Sequence, residues 1–155
     1  MSLKRVLFYI AILITVDQII KVMIYNYFFE YKFEIIPSLL EYHPVFNKKY
    51  SYFSVLFNKS INKYILLLCS LIIMYLMILF YSKSKKKYNI LLLDYCFIFS
   101  EAGFFSAFLG YFWEKGVLDY IYLKPLFIFD LKDIYLCIFE LLLPVYLFKK
   151  ATCMK

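Results

Sequence analysis

The chain has 155 residues, of which 65% are hydrophobic, 23% aromatic and only 19% charged. These fractions leave too little polar surface to coat a soluble domain of this size, and the length allows a single domain, residues 1–155. The net charge of +7 does not point to nucleic acid, because the 18 basic residues flank apolar spans instead of forming one stripe.

A membrane-crossing helix needs about 20 largely apolar residues, and four stretches qualify: 6–25, 64–81, 90–113 and 126–148. The first follows Lys4 and Arg5 as a secretory leader would. Asp17 and Lys21 interrupt it and no small-x-small cleavage site follows, so it reads as a retained helix. Residues 26–63 then alternate in polarity, as in Phe33-Glu34-Ile35 and Tyr50-Ser51-Tyr52-Phe53-Ser54-Val55, with breaks at Pro37 and Pro44. That pattern predicts short strands lying at the membrane surface.

The second span is uncharged, and the basic run 82–87 behind it reads as a cytoplasmic anchor. The third carries Gly103, Ser106, Ala107 and Gly110, small residues that let a neighbouring helix approach closely. On the fourth, Asp130, Asp133, Cys137, Glu140 and Pro144 recur at alternating steps of three and four. One polar stripe facing the bundle interior is expected from that spacing.

Lys and Arg set the orientation. Segments 1–5, 82–89 and 149–155 hold nine bases and no acids in twenty residues, whereas 26–63 and 114–125 hold seven bases beside five acids in fifty. The expected fold is an all-α integral membrane protein with four transmembrane helices and both termini cytoplasmic. A small strand-containing extracytoplasmic element would lie between helices 1 and 2. The four cysteines show no CxxC spacing and His43 is the single histidine, so neither a disulfide framework nor a zinc site is expected.

A charge at the centre of a membrane helix costs roughly 2.5–3.5 kcal/mol, so acids inside the spans invite explanation. Asp17 and Lys21 are four apart on one helical face, where they either neutralise each other or orient a site. Asp17 lies about 12 Å from the outer end of its span and Asp133 about 10 Å below the start of the fourth. Asp119 sits in the outer connector, so Asp17, Asp119 and Asp133 share the external half of the bilayer. Asp94 is close enough to its span's entrance to snorkel, while Glu101 and Glu140 are deep and carry no assigned role. Two carboxylates brought together in a poorly hydrated site share one proton. The ionised member can activate a water and the protonated one can hydrogen-bond a carbonyl oxygen. From spacing alone, two acids near one membrane face are more often structural than catalytic.

Four ordered segments carry a resemblance. Val16-Asp17-Gln18-Ile19-Ile20-Lys21 resembles the D-Q-x-x-K signature of bacterial lipoprotein signal peptidase, signal peptidase II. Ile36-Pro37-Ser38-Leu39, followed by Asn47 and Tyr52-Phe53-Ser54, resembles that family's outer segment. Gly116-Val117-Leu118-Asp119-Tyr120-Ile121 is similar to its V-V-D-F-I, and Phe129-Asp130-Leu131-Lys132-Asp133 to its F-N-x-A-D. The resemblance implies catalytic aspartates at Asp119 and Asp133, with Asp17, Lys21, Asn47, Gly103 and Asp130 shaping the site. It also implies an aspartic endopeptidase of the bacterial cytoplasmic membrane, working as a monomer without metal or cofactor. Its substrate would be a lipid-modified prolipoprotein, cut before the diacylglyceryl-cysteine.

The departures are specific. Where the family has G-N-x-x-D-R, this chain has Ser106, Ala107, Phe108, Leu109, Gly110 and Tyr111. Asp130 replaces an asparagine, adding a charge one helical turn from Asp133, and Lys132 replaces an alanine and offsets it in part. A non-catalytic protein of the same fold that binds a lipopeptide is therefore a second reading. A proton-conducting bundle, suggested by the acidic stripe, is a third.

Overall fold

A computed structural model describes residues 1–48, 62–87 and 90–152. Helix α1 (Leu3–Met23) runs on through a π-helical turn, Ile24–Phe28, into strands β1 (Phe33–Ile36) and β2 (Leu40–Asn47). Helices α2 (Lys63–Lys87) and α3 (Leu91–Gly110) follow, then β3 (Val117–Leu123), β4 (Phe127–Phe129) and α4 (Leu131–Thr152). The expected strands around residues 50–55 fall outside the described residues.

Among the described residues, three helical stretches are long and apolar enough to cross a bilayer: Leu3–Phe28, Lys63–Lys87 and Leu91–Gly110. Helix α1 is built inside out relative to a soluble helix. Its buried residues are Val6, Asp17 and Lys21, while Leu7, Phe8 and Ile19 stand more than half exposed. That arrangement suits a helix whose solvent is hydrocarbon, where apolar faces need no cover and charges must turn inward. Helix α4 matches the others in length at 22 residues but carries Lys132, Asp133, Glu140, Lys149 and Lys150.

Helix α3 sits in the middle and packs against α1, α2 and α4. Near its start, Val6, Tyr81, Leu93, Phe97 and Tyr146 form one core, with the Tyr81 and Phe97 rings stacked 4.1 Å apart. Asp94 does not snorkel. It is fully buried, neutralised by the Met1 amine at 2.5 Å and Lys85 at 2.7 Å, and accepts a hydrogen bond from the Tyr81 hydroxyl at 2.8 Å. A second core, Ile24, Leu118 and Tyr120, fastens α1 beneath the sheet.

The four strands form one antiparallel sheet in the order β1-β2-β3-β4. Half of it therefore comes from the segment between α3 and α4, which the sequence presents as a plain connector. Pro44, with no N–H to give a ladder, lies in β2 where the register slips between Tyr42 and Val45. Beyond the slip, Val45 faces Asp119 and Asn47 faces Val117. Gly116 enters β3 at φ +111°, and a Cβ there would lie 2.8 Å from the Asn47 carbonyl oxygen, so glycine is required.

Helix boundaries differ from those expected, and α2 runs on through the basic run to Lys87. The third helix ends at Gly110, leaving Tyr111, Phe112 and Trp113 in a turn, and the fourth begins at Leu131 because Phe127–Phe129 is strand. The stripe on α4 also faces differently. Cys137, Glu140 and Pro144 are exposed, whereas Lys132, Tyr135 and Tyr146 are buried. Contacts set that rotation: Leu136 packs on Gly103 of α3, and the Tyr135 hydroxyl donates to the Leu13 carbonyl of α1 at 3.2 Å.

Candidate functional site

Asp119 stands on β3, beside the register slip, and is 4% exposed. Asn47 of β2 reaches it across the ladder, Nδ2 donating to Asp119 Oδ2 at 3.1 Å. Sheet pairing thus brings together two residues 72 positions apart.

The other half of the site is the start of α4. The Asp133 backbone N–H donates to Asp130 Oδ1 at 3.3 Å, and the Asp130 N–H donates to Asp133 Oδ2 at 3.1 Å. This reciprocal capping satisfies two amides that a helix start leaves open, and it fixes both carboxylates. The two differ in environment: Asp130 is fully buried, while the Asp133 side chain keeps 41% exposure. Carboxylate oxygens of Asp119, Asp130 and Asp133 lie within 4.8 Å of one another.

Such a spacing could hold a cation, and Lys132 places its ammonium among the three. Its Nζ is 3.2 Å from Asp119 Oδ1, 2.8 Å from Asp130 Oδ1 and 3.3 Å from Asp133 Oδ2. On the far side of Asp130 stands Lys21, which is 1% exposed and 2.8 Å from both Asp17 Oδ2 and Asp130 Oδ2. The contact with Asp130 is an ion pair without hydrogen-bond geometry. Gln18 completes the shell by donating to Asp17 Oδ2 at 2.9 Å. Asp17, Lys21, Asp130 and Lys132 thus alternate in sign from α1 to α4, ending on Asp119 and Asp133. Alternation offsets the cost of burying the charges of Asp17, Lys21, Asp130 and Lys132.

Burial pushes the Asp119 carboxyl above the usual carboxylate range, outweighing the opposing pull of Lys132 and the Asn47 hydrogen bond. A carboxyl so placed keeps a proton where an ordinary aspartate has lost it. Beside a more exposed carboxylate, it provides one group able to hold a proton and one able to accept one.

Asp17, Lys21, Asn47, Asp119, Asp130 and Asp133 thus belong to one connected network. Gly103 lies one helix away and acts on the backbone: a Cβ there would meet Leu136 Cδ2 at 2.6 Å and the Lys132 carbonyl oxygen at 3.3 Å. Sequence reasoning left Lys132 outside the site. Its signals are a base set between two acids at the head of an apolar segment and the offset it gives the Asp130 charge. Among the described residues, α3 gives no charged group to the network: Asp94 pairs with Met1 and Lys85, and Glu101 lines an apolar groove beside Leu7 and Phe105.

The sequence matches the family described as Signal peptidase (SPase) II over residues 9–149. None of the curated proteins matches the chain. Among solved structures, a bacterial membrane enzyme determined by the in meso method at 2.3 Å resolution superposes with a TM-score of 0.84 at 20% identity. The match covers 99% of this chain and 93% of that one. A second bacterial membrane enzyme, determined by the same method at 1.9 Å resolution, gives a TM-score of 0.70 at 18% identity, covering 94% and 93%. At these identities the likeness shows a shared fold.

Proposed function

Since the chain belongs to the signal peptidase II family, we propose that it is an aspartic endopeptidase that removes signal peptides from lipid-modified prolipoproteins. Asp119 and Asp133 are its catalytic pair, and Asp17, Lys21, Asn47, Gly103 and Asp130 shape the site. The protein works in a bacterial cytoplasmic membrane with four spans and both termini inside, as a monomer surrounded by lipid and without metal or cofactor. One observation carries the reading: Asp119 and Asp133, on separate elements, present carboxylate oxygens within 4.8 Å of each other.

The substrate enters along the outer half of the bilayer and places its scissile carbonyl between the two aspartates. The ionised carboxylate takes a proton from a water as the water oxygen bonds to the carbonyl carbon. The protonated carboxyl donates to the carbonyl oxygen, where charge develops. Collapse breaks the C–N bond, and the proton passes to the departing amine of the diacylglyceryl-cysteine. The pair titrates as a unit through these steps. Cleavage of a diacylglyceryl-modified prolipoprotein by the purified protein in lipid tests the reading, with Asp133→Asn as control.

A second reading is favoured by one specific feature. The Lys132 ammonium contacts both aspartates, and the asparagine, aspartate and arginine of G-N-x-x-D-R are missing. On this reading the fold binds a lipopeptide and does not cut it. An Asp119→Asn/Asp133→Asn variant that binds lipopeptide and serves the cell as well as the parent supports the binder.

A further inference from the structure

Lys132 lies where three elements converge. Its ammonium contacts both Asp119 of β3 and Asp133 of α4, and its shortest contact, 2.8 Å, is to Asp130. Asp130 in turn holds the second buried ammonium, Lys21, from the opposite side at 2.8 Å. The two residues add one charge of each sign and leave the cluster's net formal charge where a neutral pair would leave it. Their backbones are fixed too, since Asp130 caps α4 and the Lys132 carbonyl rests against Gly103. Meanwhile α3, packed directly on α4, offers Gly103, Ala107 and Gly110 on its buried surface.

We propose that Asp130 and Lys132 act as one self-neutralising positioning unit that holds the Asp119 and Asp133 carboxylates at a common point, supplying from α4 the ionic support that α3 lacks. The inference rests on the reading of Asp119 and Asp133 as the working pair. Removing Lys132 alone leaves three acids crowded together with Lys21 on one side only. Removing the charge of Asp130 alone frees Lys132 to close on the two aspartates. Removing both charges together avoids each fault, so the unit is coupled. Coupling of this kind is what a double-mutant cycle measures.

The experiment compares the parent with Lys132→Ala, Asp130→Asn, Lys132→Arg and the double variant Asp130→Asn/Lys132→Ala. Each is purified in lipid and assayed for kcat and KM on a diacylglyceryl-modified prolipoprotein, with thermal unfolding measured on the same samples. Lys132→Ala is expected to lower kcat at least about tenfold with little change in KM, as loss of a supporting partner does. The double variant is expected to recover at least about fivefold over Lys132→Ala, because the charges vanish together. Lys132→Arg keeps the charge and retains more activity than Lys132→Ala. Losses that multiply independently in the double variant overturn the proposal. A rise in cleavage on Lys132→Ala also overturns it, since the ammonium would then be blocking the pair. A parent that does not cut removes the peptidase reading and leaves the unit to be judged on unfolding temperature. There, recovery in the double variant supports the unit and additive losses overturn it.

Discussion

Lys21 of α1 stands 2.8 Å from Asp130 at the head of α4, and the same ammonium holds Asp17 at 2.8 Å. The pair on α1 is therefore more than a local neutralisation that lets a polar helix enter lipid. It reaches across the bundle and ties the first helix to the element carrying Asp133. Through Lys132 the tie continues to β3, so helix packing and site geometry are set by one chain of charges.

Lys21→Met tests that tie. The methionine fills similar volume but leaves Asp17 buried with Gln18 as its remaining partner. A buried charge stripped of its partner costs about 3–5 kcal/mol. A lower thermal midpoint in lipid is expected, together with recovery when Asp17→Asn is added. A Lys21→Met variant as stable as the parent would mean that the pair is dispensable.

Gly103 sets how closely α4 approaches α3. Alanine would put its Cβ 2.6 Å from Leu136 Cδ2 and 2.7 Å from Cγ. Overpacking of this kind costs about 1–3 kcal/mol, against a helix-propensity gain of about 1 kcal/mol. Gly103→Ala should lower stability and also impair cleavage, because it pushes on the turn bearing Lys132. Adding Leu136→Ala should restore much of the unfolding midpoint. If Gly103→Ala raises that midpoint, the packing account is wrong.

Asn47 donates to the ionised form of Asp119, and so lowers its proton affinity against the larger effect of burial. Removing the donor with Asn47→Ala should move the Asp119 titration further up, as followed by carbon NMR of labelled aspartate carboxyls. The sign for stability follows. A carboxyl that holds its proton more tightly when folded favours the folded state below the ordinary 3.8, and that advantage is lost as pH rises through the folded titration. Asn47→Ala should widen this pH window upward. A downward move would show that Asn47 acts on the protonated form.

Much of this was legible in the sequence, and the illegible parts have physical causes. Long apolar runs identify α1, α2 and α3 because lipid demands them, and the acid positions follow from the order of short motifs. Strand β4 was hidden because Leu126-Phe127-Ile128-Phe129 is as apolar as the helix behind it, and hydropathy cannot separate strand from span there. The spacing of Asp133, Cys137 and Glu140 does define one face of α4, but periodicity does not say which way that face turns. The Gly103–Leu136 and Tyr135–Leu13 contacts decide it, and they turn Lys132 inward instead. For the same reason the sequence shows Lys132 offsetting the Asp130 charge but not its contacts with Asp119 and Asp133, which depend on that rotation.

The most direct measurement is cleavage of a diacylglyceryl-modified prolipoprotein by the purified protein in lipid, with Asp119→Asn and Asp133→Asn alongside. The parent is expected to cut, and each variant to insert normally but lose at least about a hundredfold in rate, the scale of a lost general acid or base. Variants that cut as well as the parent would contradict the pairing of Asp119 with Asp133. A parent that binds the lipopeptide and leaves it whole would contradict the peptidase itself.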